Sequence, residues 1–256
     1  MRTLFNIGRI FFGVAMAGIG IEIIYHHDFP YWLLPPKHSW IPGIVMVAYI
    51  FGIMFVFAGA CIAFEKKTRT ASLLTGTVLL LIFCFYFIPY QFMASSRYMH
   101  LLQWENAEKE LAFCSGAFVI AAYYSEKNEI PLYRKLIPFG FILFSIPIIS
   151  FGILHFLYAK DVADYVPSWV PNHLFWTYLA GTALIGSGIA IILKIKPRLA
   201  ATLLGIMIFI WFTVLHIPRI IVSPAAYLGS EISSAFIALA YSGIAFVIAG
   251  ASKMTA

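Results

Sequence analysis

Residues 42–64 read PGIVMVAYIFGIMFVFAGACIAF: 23 positions without a charged side chain and with no alternation of apolar and polar residues. At 1.5 Å per residue such a block is long enough to cross a hydrocarbon core of ~30 Å. Similar blocks follow one another along the whole chain. Of its 256 residues 62% are hydrophobic and only 11% are charged, whereas a soluble domain carries roughly 25% charged residues. In lipid a chain of apolar blocks satisfies its backbone as helices. The expectation is therefore an all-α, polytopic membrane protein, with spans at 4–26, 42–64, 71–92, 106–124, 135–158, 173–194, 199–221 and 229–251.

The first block invites a signal-peptide reading, because Arg2 precedes it and Ala15-Met16-Ala17 mimics a cleavage site. The apolar run continues well past that mimic, and the block has a counterpart later in the chain. Eight spans put both termini on one side. That side carries Arg2, Arg9, Lys66, Lys67, Arg69, Lys127, Arg134, Lys135, Lys194, Lys196, Arg198 and Lys253, against Lys37, Arg97, Lys109, Lys160 and Arg219 on the other. Basic residues collect in cytoplasmic loops, so the termini are expected in the cytoplasm and the protein in the cell (inner) membrane. The net charge of +6 then reflects orientation rather than a nucleic-acid partner. Cys61, Cys84 and Cys114 are isolated within apolar segments, which gives neither a disulfide framework nor a dithiol motif.

At an offset of 129 the chain matches itself. Ser39-Trp40-Ile41-Pro42 meets Ser168-Trp169-Val170-Pro171, Gly52 meets Gly181, Gly59 meets Gly188, Arg69 meets Arg198, and Ile88-Pro89 meets Ile217-Pro218. After one residue is lost, Ala117-Phe118-Val119-Ile120-Ala121 meets Ala245-Phe246-Val247-Ile248-Ala249 at 128. The expected organisation is thus two four-helix repeats, residues 1–128 and 129–256. An even number of spans in each inserts both the same way up, as two pseudo-symmetric bundles in parallel orientation.

Ionisable groups inside a span are expensive in lipid and are read as functional. Glu22, His155 and His216 lie in the outer parts of spans 1, 5 and 7. Matching Tyr25 with Tyr158 and Asp28 with Asp161 puts Glu22 opposite His155. The partner expected for Glu22 is Lys109 or a histidine of the other half. Span 4 opens with Trp104-Glu105-Asn106-Ala107-Glu108-Lys109-Glu110, in which Glu105 and Lys109, and Asn106 and Glu110, share a helix face. The second half lacks this set, and the first has Phe87 where the second has His216. The candidate ligand or proton-relay residues are Glu22, His155, His216, Arg219, Asn106, Lys109 and Glu110. No HxxH or HxxxH pair fixes two ligands on one helix, so no metal site is expected. Trp40, Trp104, Trp169, Phe175 and Trp176 suit an interfacial belt or the wall of a pocket.

The second half resembles the DoxX family of small membrane proteins, through GILHF at 152–156, VPSWVP at 166–171, FWTYLAGTALIGSGIAI at 175–191 and AATLLGIMIFIWFTVLHIP at 200–218. The first half is similar to a diverged copy, with GRIFFGVAMAG at 8–18 and SWIP at 39–42. WENAEKELAF at 104–113 is similar to a tryptophan–asparagine–lysine–glutamate pattern of such sequences. The family forms single four-helix units, and its members include a membrane subunit of thiosulfate:quinone oxidoreductase and one linked to thiol-redox complexes. The resemblance implies a membrane subunit of a quinone- or thiol/sulfur-linked redox system, with a quinone as the possible cofactor and other redox subunits as possible partners. His155, His216 and Glu22 would bind or relay protons, and Arg219 would steer anions. Without paired cysteines, direct thiol exchange does not fit. Two other readings stand beside it: a non-catalytic scaffold or accessory subunit, and, with less in its favour, a small-solute transporter.

Overall fold

The computed structural model describes residues 2–34, 42–94, 101–125, 131–222 and 230–252. Among them the regular structure is helical, without strands. The long helices are α1 (Arg2–His26), α2 (Ile44–Ala63), α3 (Thr68–Met93), α4 (Leu101–Tyr123), α5 (Pro131–Leu157), α6 (His173–Ile192), α7 (Pro197–Val222) and α8 (Ser230–Ala251). Seven of these, all but α4, contain a stretch long and apolar enough to cross a membrane. Helix α4 has 23 residues, but Glu105, Glu108, Lys109 and Glu110 crowd its first turns. The loop stretch 39–41 of the SWIP motif lies outside the described residues.

Helices α1, α4, α5 and α8 form the middle of the bundle. Helix α1 packs along α2 on one side and α8 on the other; α5 packs along α6 and α4. Helix α3 lies on α4, α7 lies on α8, and α4 touches α8 across the centre. The first and last helices are therefore neighbours. Helices α1 and α8 are mostly buried, whereas α2 and α7 present most of their surface outward, with Leu203, Ile206 and Ile210 exposed on α7. Such a surface suits hydrocarbon, because lipid tails are as apolar as the side chains.

With no hydrophobic drive between helices in lipid, close backbone approach supplies the packing. A Cβ on Gly13 would come within 2.7 Å of the Gly59 carbonyl oxygen, and one on Gly20 within 2.6 Å of that of Gly52. These glycines let α1 and α2 touch backbone to backbone.

Helices α3 and α7 each widen into a π turn, at Phe83–Phe87 and Phe212–His216. The cause lies in Pro89 and Pro218. Proline has no N–H to donate, and its ring collides with the carbonyl four residues back, here that of Phe85 or Val214. A π turn relieves the clash and re-aims the side chains around it.

At the end where α2 finishes, Arg9 is 4% exposed and donates to the carbonyl oxygens of Ile62 and, at 2.9 Å, Ala63. It also pairs with Glu65 at 3.3 Å, which accepts from the Tyr124 hydroxyl at 2.9 Å. A cation at a helix C-terminus meets both unsatisfied carbonyls and the negative end of the dipole. Arg9→Ala is expected to cost about 1.5–3 kcal/mol, the range for hydrogen bonds to a charged group. A fall in the midpoint of thermal unfolding in detergent would read it, and Arg9→Lys should recover part of the loss.

Candidate functional site

A cavity of about 320 Å³ opens between α5, α6, α7 and α8, and α4 contributes Glu105 and Lys109 to its wall. Most of the lining is apolar: Ile148 and Phe151 from α5, Ala180 and Leu184 from α6, Met207, Ile208 and Trp211 from α7. A mostly apolar concavity with a few converging polar groups is the usual form of a small-molecule site.

The polar groups come from several helices. His155 lies near the end of α5, and its Nδ1 stands 2.7 Å from the Phe151 carbonyl oxygen. A carbonyl only accepts, so Nδ1 carries the hydrogen and Nε2 keeps its lone pair. His216 closes the π turn of α7, and its buried Nδ1 has no partner among the described residues. Tyr241 of α8 is 4% exposed, and its hydroxyl is likewise without a partner. Buried polar groups are normally hydrogen-bonded; these two atoms belong to residues that line the cavity but are themselves buried. Lys109 bonds Glu105 at 2.8 Å and Asn106 Oδ1 at 2.9 Å. Those contacts hold its ammonium beside the cavity and match its charge.

Among the residues singled out from sequence, the cavity thus gathers His155, His216 and Lys109; Asn106 stands behind Lys109. The i,i+4 pairing of Glu105 with Lys109 is present as expected. Asn106 turns to Lys109 rather than to Glu110. Glu110 is fully buried, and neither of its carboxyl oxygens has a partner among the described residues; it does not line the cavity. Arg219 forms a two-pronged ion pair with Glu231, at 2.8 and 2.5 Å, so its charge is matched rather than free to steer an anion. It lies over the ring of Tyr165 at 4.6 Å, a cation–π contact, and Tyr165 lines the cavity.

Glu22 lies elsewhere. It is 6% exposed, and its Oε1 accepts from the Ser233 hydroxyl of α8 at 2.6 Å. Its partner is therefore a serine rather than Lys109 or a histidine. Register explains the difference. Gly20 rests on the Gly52 carbonyl and the Val56 nitrogen, and Gly152 rests on the Gly181 carbonyl and the Ile185 nitrogen. These contacts relate α1 to α5 by an offset of 132, and the motif match that put Glu22 opposite His155 used 133. One residue turns a helix by about 100°, so Glu22 corresponds to Leu154 and faces α8, while His155 faces the cavity beside α6.

Of the aromatic candidates, Trp176 lines the cavity, and its indole N–H donates to the Pro171 carbonyl oxygen at 3.1 Å. Trp169 and Phe175 are exposed, Trp104 packs edge-on against Phe92, and Trp40 lies outside the described residues. The three cysteines are free thiols.

Sequence reading missed Tyr241, and the reason for the cavity with it. At the repeat offset of 129, Ala180 and Leu184 stand opposite Phe51 and Phe55, and at 128 Tyr241 stands opposite Phe113. The second half has smaller side chains at two of these positions and a hydroxyl at the third. Comparing the halves for lost volume, rather than for shared motifs, would have pointed to the cavity.

Long apolar helices, packed through glycines, around a cavity lined mainly by apolar side chains make this an integral membrane protein of the multi-pass helical class. No protein-family model, curated protein or solved structure matches the chain.

Proposed function

We propose that the chain is a DoxX-like subunit of a membrane redox system, and that its second-half cavity binds the headgroup of a lipid-soluble quinone. The observation that carries this reading is the mostly apolar cavity of about 320 Å³ whose lining includes His155, His216 and Tyr241. Quinone oxygens accept hydrogen bonds; the Tyr241 hydroxyl and an N–H of the His216 imidazole, turned toward the cavity, act as donors to the ring edge. His155 Nε2 and the Glu105–Lys109 pair stand on the same cavity to take up or return protons when a partner subunit moves electrons to or from the ring.

The accompanying architecture is eight spans in two copies of one polarity, with termini in the cytoplasm. Several observations at the repeat offset support it. The π turns Phe83–Phe87 and Phe212–His216 are 129 residues apart. So are the left-handed residues that open α3 and α7, Lys67 and Lys196, and those that open α2 and α6, Gly43 and Asn172. The packing of α1 on α2 and α8 has its counterpart in that of α5 on α6 and α4. In this arrangement α4 is the eighth span, its charged turns facing the protein interior and the cavity.

The test is purification in mild detergent, followed by solvent extraction, mass spectrometry and titration with a short-chain quinone. Tyr241→Phe keeps the ring and deletes the donor, and a 5- to 20-fold weaker dissociation constant is expected, about 1–2 kcal/mol for one hydrogen bond. Unchanged affinity in both Tyr241→Phe and His216→Ala sinks the reading. Stoichiometric partner chains with no quinone bound in extracts or titrations favour a scaffold instead.

A further inference from the structure

The segments that follow α1 and α5 are built alike and stand differently. Past the helices the two halves are in register at 133, the offset of Tyr25 with Tyr158 and of Asp28 with Asp161. The same turn closes both segments. The Leu33 N–H donates to the Pro30 carbonyl oxygen at 2.9 Å, and the Val166 N–H donates to that of Ala163 at 3.0 Å. One residue before each donor stands an aromatic ring, Trp32 in the first half and Tyr165 in the second.

In the first half the ring is inside. Trp32 is 4% exposed, and its indole lies against Phe113 with centroids 5.2 Å apart. Phe113 is the repeat counterpart of Tyr241, a residue of the cavity lining. In the second half the ring is at the rim. Tyr165 lines the cavity and is 53% exposed, with the Arg219 guanidinium over it at 4.6 Å. Two hydrogen bonds to Glu231 fix that guanidinium in place. At the repeat offsets of 129 and 128, the positions of Arg219 and Glu231 belong to Tyr90 and Gln103, which form no ion pair. The half with the ion pair has its ring outside and a cavity of about 320 Å³. The half without it has its ring inside.

We infer that Tyr165 is a plug for the cavity, and that the Arg219–Glu231 pair is the latch that holds it out. The inference rests on the cavity being the ligand site and adds the regulation of that site. Val162 and Val166, on either side of the ring, also line the cavity. A turn of the Tyr165 side chain about its Cα–Cβ bond therefore carries the ring inward while the backbone turn is kept. The plugged and the liganded states exclude each other, so the apparent affinity for a ligand falls with the fraction of open protein. Trp32 is the same device fixed shut, in the half that has no latch.

The test needs no ligand. Ala180 belongs to the cavity wall, and the rate at which Ala180→Cys reacts with N-ethylmaleimide reports whether the cavity is open. The rate is measured on the full chain in detergent and read at that residue by peptide mass spectrometry. Arg219→Ala is expected to slow the reaction roughly fivefold, which corresponds to about one molecule in five remaining open. Adding Tyr165→Ala to Arg219→Ala is expected to restore the original rate. An unchanged rate in Arg219→Ala overturns the inference, and so does a slowed rate that Tyr165→Ala fails to restore. Where Arg219→Ala does not fold, Glu231→Gln carries the same expectation. Titration of these variants with the short-chain quinone, on the unaltered wall, should show the same loss and the same recovery. Labelling that follows this pattern while no variant binds the quinone leaves the plug standing and removes the quinone reading.

Discussion

Ala180→Phe is expected to weaken ligand binding about 100-fold or more, a loss of ~2.7 kcal/mol, while leaving the protein folded. Both halves of that expectation come from the chain itself. Ala180 is a wall residue of the cavity, and the first half already carries a phenylalanine, Phe51, at the matched position. There the ring packs at 5.5 Å from Phe29 and 6.2 Å from Phe55, so a helix of this kind accommodates it. Overpacking a filled core usually costs 1–3 kcal/mol, but a ring growing into a cavity gains contacts instead of forcing them. The unfolding temperature should therefore hold or rise. Isothermal titration with the quinone probe, alongside a thermal melt, separates the outcomes. Full-strength binding to a stable Ala180→Phe protein would mean that the ligand sits elsewhere.

How far the molecule could be read from its residues follows from the same comparison. Helix type is written in runs such as 42–64, because the hydrophobic length needed to cross a bilayer is a property of composition alone. Helix α4 is the instructive case: its length fits, but Glu105, Glu108, Lys109 and Glu110 lower its apolar content, and it is not among the seven helices long and apolar enough to cross a membrane. The histidines near the cavity were legible because imidazoles in apolar helices stand out. The partner of Glu22 was not, since a one-residue uncertainty in register rotates a helical side chain to another neighbour, here Ser233. Trp32, buried after α1 with its ring against Phe113, was invisible for a different reason. It lies in a non-helical segment between two spans, where hydropathy has no period to follow, and its burial depends on a hole that only the assembled helices define. Tyr241 reads as one more apolar position of α8; its place on the cavity lining shows only in the packed bundle.

The largest structural effect is expected at the seam between the first and last long helices. Gly243→Val in α8 would place a Cβ 2.7 Å from the Gly8 carbonyl oxygen and 2.8 Å from the Phe12 nitrogen. Both neighbours are backbone atoms of α1, so no flexible side chain can swing away, and the two helices must separate along their length. That separation would also loosen the Glu22–Ser233 hydrogen bond, two to three turns away on the same pair of helices. A loss of at least about 3 kcal/mol is expected, the upper part of the overpacking range. Gly186→Val in α6 is the internal control, because a Cβ there meets nothing within 4 Å. The same change of residue type carries the same change in intrinsic helix preference, so the difference between the two variants isolates the packing. Unfolding in mixed micelles of mild detergent and dodecyl sulfate measures both. Equal stability of the two proteins would contradict the close approach of α1 and α8. A protein destabilised only at Gly243 would locate the bond between the two ends of the chain in that backbone contact, and would predict that Gly8→Val fails in the same way, since Gly8 presents the same seam from the opposite side.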